Sequence, residues 1–416
     1  MSLNVFKPVV SATGFIFVQM RYQSYLNTSK KIIELYKGEE PLASYLKKFF
    51  AANKKYGSKD RKYIASLCYA YFRLGKAGTS GSLDENILAG LFLSETIYNE
   101  VIHFFKPEWD EWIGKPLAEK LELIKFSAKE IFPFKAELSA AVNHTDLCES
   151  FLQQPKLFLR ARPHKKNIVV QKLQKAKIPL ALIDEDCIAL SNSTRLDDII
   201  EADREAVIQD YNSQQVFNFL KTFNLGRNAI TTWDCCAASG GKSILLYDTL
   251  KRNVELTVSD IRLTILLNLH QRFSKAGIKN YNYFLGDLNT PGFKFPAITA
   301  KGAQGVLPLY NYQLIICDAP CTGSGTWSRT PESLFYFKPG IIKEFAARQI
   351  QIVSNVIPYL QNEGLLFYIT CSVFKKENED VAQFIQEKFN LQLLHMELLE
   401  GYDKKADSMF VAVLKK

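Results

Sequence analysis

No run of eighteen apolar residues occurs in the 416-residue chain, so no membrane-spanning helix is predicted. The nearest approach, Val9 to Val18, is broken by Ser11, Thr13 and Gly14. It lacks the marks of a signal peptide, because Lys7 is the only charge among the first twenty residues and Gln19-Met20-Arg21 is a poor cleavage site. Residues 1–19 therefore read as a poorly defined N-terminus, with Met20 a candidate natural start. None of the eight cysteines sits in a CxxC pair, which argues against a disulfide framework in a chain of this size. Reduced thiols in the cytoplasm are the simplest expectation. A zinc site built on Cys317 and Cys321 lacks a second ligand pair at suitable spacing, and no metal is expected. Internal repeats and low-complexity tracts are also missing.

What is present fits a globular chain of two or three domains, with 47% hydrophobic residues to build cores. Charge is unevenly spread. Between Arg21 and Lys76 stand thirteen lysines and arginines against four carboxylates, an excess equal to the whole chain's net charge of +9. Such a cluster suits a polyanion-binding face, the alternative being a solvated helical surface. A membrane-surface helix fits less well, since aromatic and charged residues interleave without one clean apolar face.

Residues 20–150 read as helical. Ser58 can cap a helix carrying Ile64, Leu67, Tyr71 and Leu74, and Leu88, Leu91, Leu93 and Ile97 form a second periodic set. Residues 151–205 read as a small βα segment: a strand at 157–159, a helix over 168–177 and strand character over 180–190, with a turn at 184–186. From about residue 206, strands and helices alternate, with strands predicted at 229–233, 255–258, 281–284, 314–317 and 365–370. Alternation of this kind implies a largely parallel, Rossmann-like sheet with helices on both faces, binding ligands at the carboxyl ends of its strands.

The loop Cys236-Ala237-Ala238-Ser239-Gly240-Gly241-Lys242 follows the first of those strands and opens a helix. Its glycines allow close backbone approach to a ligand at a helix N-terminus. A P-loop would need glycine where Cys236 stands, and the GxGxxG dinucleotide fingerprint is absent. A loop for S-adenosylmethionine remains. Asp260 and Asp287 end the next two strands, where an acidic residue can hold ribose hydroxyls or an adenine amino group. Asp318 ends the fourth, and the three in register favour ligand binding over simple helix capping.

Asp318-Ala319-Pro320-Cys321 and Thr370-Cys371-Ser372 each follow an apolar strand. Cytosine C5 is too weak a nucleophile to take a methyl group unaided. A thiolate adding at C6 makes C5 enamine-like, and the C5 proton must later leave so that the thiolate can depart. That chemistry needs an activated cysteine, a group to stabilise the ring and a base. Two cysteines at strand ends, one beside an aspartate, supply the parts. A lone cysteine is more often a small buried hydrophobe, as expected for Cys317, with Cys235 and Cys236 packing the loop.

On these residues, residues 206–416 resemble the Sun-type (Fmu, nucleolar-protein) family of RNA cytosine-5 methyltransferases. The resemblance also takes in Gln209-Asp210, Ser213-Gln214, Arg329, Pro331, Gln349 and Glu377-Asn378-Glu379, and the pairing of DAPC with TCS in this order is its most specific part. It implies Cys371 as the nucleophile, Cys321 as the residue assisting release, 236–242 as the cofactor loop, and Asp260, Asp287 and Asp318 as cofactor or ring-orienting residues. Residues 20–150 are similar in length and charge to the NusB-like helical domain of the family's bacterial ribosomal-RNA branch, and 151–205 to its small RNA-binding segment. Three positions depart from the family pattern: Ser239 replaces a proline, Ile265 an arginine and Arg162 an asparagine.

The expectation is thus a monomeric cytoplasmic enzyme. It would use S-adenosylmethionine to methylate cytosine C5 in RNA, small-subunit ribosomal RNA by family resemblance. The rival from another class is a non-catalytic RNA-binding or ribosome-assembly factor that has kept the fold. A DNA cytosine methyltransferase would share the Pro-Cys nucleophile but not the second cysteine.

Overall fold

The computed structural model describes residues 12–79, 81–223, 228–295 and 311–416, with the backbone alone over 12–19. The expected poorly defined N-terminus lies outside the described residues as far as residue 11. From Ala12 the backbone is helical, in Ala12–Leu35. The chain forms two compact units, one of Met1–Pro133, Thr145–Gln153 and Trp327–Phe337, the other of Phe134–His144, Gln154–Thr326 and Lys338–Lys416.

The first unit is built on helices Ala12–Leu35, Leu42–Ala52, Ser58–Arg73 and Leu83–Ser94. Ile64, Leu67, Tyr71 and Leu74 are all buried, as their spacing predicts. The cap is Gly57 rather than Ser58. The Gly57 amide donates to Asp60 across 2.8 Å, and Ser58 is the first helical residue. Gly90 lets two helices touch, since a Cβ there would lie 2.1 Å from the Ala70 carbonyl oxygen. Ile97 does not join its expected partners, because the helix ends at Ser94, and Ile97 is 72% exposed. Two members of the basic cluster are structural. Arg73 is buried and donates to the carbonyls of Phe151, Gln153 and Ser328, and Lys76 donates to those of Phe335 and Phe337. Lys54, Lys55, Lys59, Arg61 and Lys62 are exposed. Lys55, Lys59 and Arg61 lie over the rings of Tyr56, Tyr63 and Phe50.

In the second unit a small sheet comprises β1 (Leu157–Ala161), β2 (Ala181–Leu182), β3 (Cys187–Leu190) and β4 (Ala206–Ile208), in the order β2-β3-β1-β4. The helix Lys166–Lys175 buries Val169 and Leu173 against Leu159, Ile188 and Leu190. Element order follows the βα reading, but the pairing is antiparallel throughout. After the helix the chain enters the β2–β3 hairpin, and it is the returning strand that lies beside β1. Arg160 and Arg162 are buried on Asp248, each at 2.7 Å. Arg162 also donates to the carbonyls of Asp203 and Ala276, so at this departure from the family pattern the residue ties segments together.

The large sheet holds β5 (Ile230–Asp234), β6 (Val254–Asp260), β7 (Tyr281–Leu285), β8 (Tyr312–Asp318), β9 (Leu360–Thr370), β10 (Gln392–Leu399) and β11 (Met409–Lys415). Its order is β10-β11-β9-β8-β5-β6-β7. β5 to β9 are parallel, and β11 and β10 add an antiparallel edge. Successive residues of β8 feed opposite faces. Ile315 and Cys317 pack with Trp233 and Tyr368, while Leu314 and Ile316 pack with Leu246 and Phe367. The chain leaves β5 toward β6 on one side and returns as β8 on the other. This switch point opens a crevice outside the strands' carboxyl ends.

Candidate active site

The crevice is a cavity of about 690 Å³ whose lining includes Cys236, Ala238, Asp260, Asp287, Asp318, Cys321 and Cys371. Residues from five successive parallel strand ends thus meet at one place. Ala237, Ser239, Gly240, Gly241 and Lys242 lie outside that lining and shape the loop behind it. Gly240 is left-handed, with φ 82°, and a Cβ there would lie 2.5 Å from Phe273, so this position needs glycine. The Ala238 amide donates to Asp260 Oδ2 at 3.0 Å, joining the loop to the next strand end. At Ser239 the hydroxyl and carbonyl both accept from Arg272, at 2.9 and 3.0 Å, and Arg272 pairs with Asp203. Those contacts offset the stiffness lost with proline.

From behind the loop Lys242 reaches Asp318 of the cavity wall, its ammonium 2.6 Å from Asp318 Oδ2. Burial pushes the Lys242 amine down, and the adjacent Asp318 carboxylate more than compensates, leaving it above its ordinary value. Lys242 stays a cation at neutral pH and holds Asp318 in the wall of the cavity that Cys321 and Cys371 also line.

Cys321 and Cys371 face each other, sulfur to sulfur, at 3.4 Å. The Cys321 thiol is pushed well above its ordinary range, first by its hydrogen bond to Cys371, then by burial. Cys321 therefore keeps its proton at neutral pH. The Cys371 turn is held by Gly325, whose amide donates to the Cys371 carbonyl at 2.9 Å. A Cβ at Gly325 would lie 2.2 Å from the Ser408 carbonyl oxygen. The sulfurs of Cys235, Cys236 and Cys317 form a separate cluster, all within 4.8 Å of one another. Cys321 is outside that group.

A family described as 16S rRNA methyltransferase RsmB/F matches residues 223–414. That match takes in a little under half of the chain. Similar proteins include the ribosomal RNA small subunit methyltransferase F of Psychromonas ingrahamii, 24% identical over 201 residues, covering 44% of this chain and 39% of that protein. Another is the "probable ribosomal RNA small subunit methyltransferase B" of Bacillus subtilis, 27% identical over 204 residues, covering 49% of this chain and 42% of that protein. The chain spans about two-fifths of the length of these relatives. Among solved structures, PH0851 superposes with a TM-score of 0.63 at 15% identity over 96% of this chain and 98% of that one. NSun6 from Pyrococcus horikoshii with SFG gives 0.52 at 14% identity over 66% of this chain and 94% of that one. At these identities the likeness concerns the fold.

Several residues of the site carried no local sequence signal. Arg262 and Arg348 line the cavity. Gln349 donates to the Pro320 carbonyl at 3.0 Å, and Glu377 sits behind both cysteines. Glu377 and Gln349 fall within the matched motifs, but no role could be read from their neighbours in sequence.

Proposed function

We propose that this chain methylates C5 of a cytosine in RNA, with S-adenosylmethionine as methyl donor and small-subunit ribosomal RNA as the substrate, in the cytoplasm. The observation that carries this reading is the Cys321–Cys371 pair at 3.4 Å, in the lining of a cavity that strand-end carboxylates also wall. Methyl transfer to cytosine C5 needs one such thiol for covalent addition, and a second beside it suits addition followed by elimination. The RsmB/F relatives, named as ribosomal RNA methyltransferases, support the substrate class.

The donor fits the residues present. Ala238 and Gly286 keep part of the cavity wall free of large side chains, Asp260 and Asp287 offer carboxylates at successive strand ends, and Asp318 faces the reacting end. The 236–242 loop, Asp260, Asp287 and Asp318 would hold it. When bound, it supplies an electrophilic methyl group. Cys371, as thiolate, adds to C6 and makes C5 nucleophilic. Asp318, anchored by Lys242, orients the ring. Once C5 is methylated its proton passes to water, the freed electron pair restores the 5,6 double bond and expels the Cys371 thiolate, and Cys321 assists this release. The exposed cations of the helical 20–150 region, together with the 151–205 segment, bind the RNA backbone.

Bisulfite sequencing of small-subunit ribosomal RNA from cells with and without the protein tests this reading. A cytosine protected only when the protein is present is expected. No protein-dependent protected position would favour a non-catalytic ribosome-assembly factor.

A further inference from the structure

We infer that Glu377 is the positioning residue that sets the separation of Cys321 and Cys371, its one buried carboxylate holding the residue that follows each cysteine. The inference rests on the two-cysteine reading above. Glu377 Oε1 accepts from the Thr322 amide at 2.8 Å and from Gln349 Nε2 at 3.2 Å. Its Oε2 accepts from the Thr322 hydroxyl at 2.6 Å and the Ser372 hydroxyl at 2.5 Å. Thr322 directly follows Cys321, and Ser372 directly follows Cys371. One side chain therefore spans two turns that end different strands and lie fifty residues apart.

Neighbouring contacts reinforce the clamp. Asn378 Oδ1 accepts from the Thr370 hydroxyl at 2.6 Å, and its Nδ2 donates to the Ser372 carbonyl at 2.9 Å, so Cys371 is bracketed on both sides. Gln349 ties Glu377 to the Pro320 carbonyl, just before Cys321. Glu377 is fully buried and is not among the residues lining the cavity. It acts through the cysteines rather than on a substrate.

Four donors converge on two oxygens, an arrangement only an ionised carboxylate satisfies in full. Glu377→Gln keeps the shape but turns a donor toward one pair of those donors. The turns then lose a shared anchor, and the sulfurs lose their fixed approach. Loss of alignment between reacting groups lowers rate far more than it lowers binding.

The test compares full-length wild type with Glu377→Gln in two ways. The first needs no RNA: equilibration with glutathione and its disulfide, with peptide mapping of the Cys321–Cys371 pair. Two protein thiols and one glutathione disulfide give the protein disulfide and two glutathiones, so the equilibrium reads how well the sulfurs are held together. The variant should form this disulfide at least about tenfold less favourably. The second is methyl transfer, where kcat should fall by about tenfold or more with KM for RNA and donor affinity within about twofold. Glu377→Asp, which keeps the charge, should restore part of both. A lower melting temperature with unchanged thiol pairing and unchanged kcat would reduce Glu377 to a packing residue and overturn the inference. Should Glu377→Gln fail to fold, Ser372→Ala, which removes one donor, carries the same two readouts. Glu377-dependent thiol pairing in a wild type that transfers no methyl group would sink the proposed function while leaving the positioning role standing.

Discussion

Arg262 donates to both oxygens of Asp260, with Nε 3.0 Å from Oδ1 and Nη2 3.2 Å from Oδ2. With the amides of Ala238 and Arg262 also donating to that carboxylate, its acceptor sites are occupied. Ribose hydroxyls of the proposed donor would have to displace the Arg262 head group, which is largely exposed and cheap to move.

Two substitutions at this pair should therefore act in opposite directions. Asp260→Ala removes a charged acceptor worth roughly 1.5–3 kcal/mol and should weaken S-adenosylmethionine binding about tenfold to a hundredfold. Arg262→Ala removes a competitor held by an exposed pair worth about 0.2–1 kcal/mol and should tighten binding slightly, by up to about fivefold. Calorimetric titration of both variants decides this. Equal affinity in wild type and Asp260→Ala would remove Asp260 from the binding site.

A second prediction concerns pH. Asp234 is buried at the end of β5, where Oδ2 accepts from the Ser243 hydroxyl at 2.5 Å and Oδ1 has no hydrogen-bond partner among the described residues. Burial raises its carboxyl from an ordinary 3.8 to about 7. Between those values the folded protein keeps a proton that the unfolded chain has lost. The associated stability is full below pH 3.8 and is lost as pH rises through about 7. At about 1.4 kcal/mol per unit, the ceiling on that loss is roughly 4 kcal/mol. Asp234→Asn keeps the Ser243 contact without the charge, so denaturation midpoints at pH 5 and pH 8 should differ less in the variant than in wild type. Equal differences would show that Asp234 does not titrate in this window.

Much of the site was legible because its signals are local. The glycine pair at 240–241, Asp318 three residues before Cys321, and Thr370-Cys371-Ser372 each sit in a single turn. What escaped are relationships between distant turns. Glu377 meets Thr322 across 55 positions, and Asn378 meets Ser139 across 239. No local periodicity encodes such pairs. Strand direction was hidden for a similar reason. β11 is apolar along nearly its whole length, as a buried parallel strand would be, yet it runs antiparallel to β9. The alternation of strands and helices located the parallel strands but gave no sign of the β10–β11 edge.

The third prediction separates the helical unit's binding cations from its structural ones. Replacing Lys54, Lys55, Lys59, Arg61 and Lys62, all exposed, with glutamine should weaken RNA binding and flatten its salt dependence. Each lost phosphate contact should reduce the log–log slope by about 0.7–0.9. Arg73→Gln should instead lower the melting temperature with little effect on the slope, because Arg73 serves buried carbonyls. A slope unchanged by the fivefold replacement would mean that this face binds no RNA.

The central claim is that two cysteines 3.4 Å apart divide one reaction, Cys371 forming the bond to cytosine C6 and Cys321 helping to break it. The most direct measurement is denaturing electrophoresis of labelled RNA after incubation with each single variant and S-adenosylmethionine. Cys371→Ala should give no RNA-linked protein. Cys321→Ala should accumulate a donor-dependent RNA-linked species that survives denaturation, because addition proceeds and elimination stalls. An adduct in Cys371→Ala and none in Cys321→Ala would invert the two roles, and no adduct in either variant would contradict covalent catalysis by this pair.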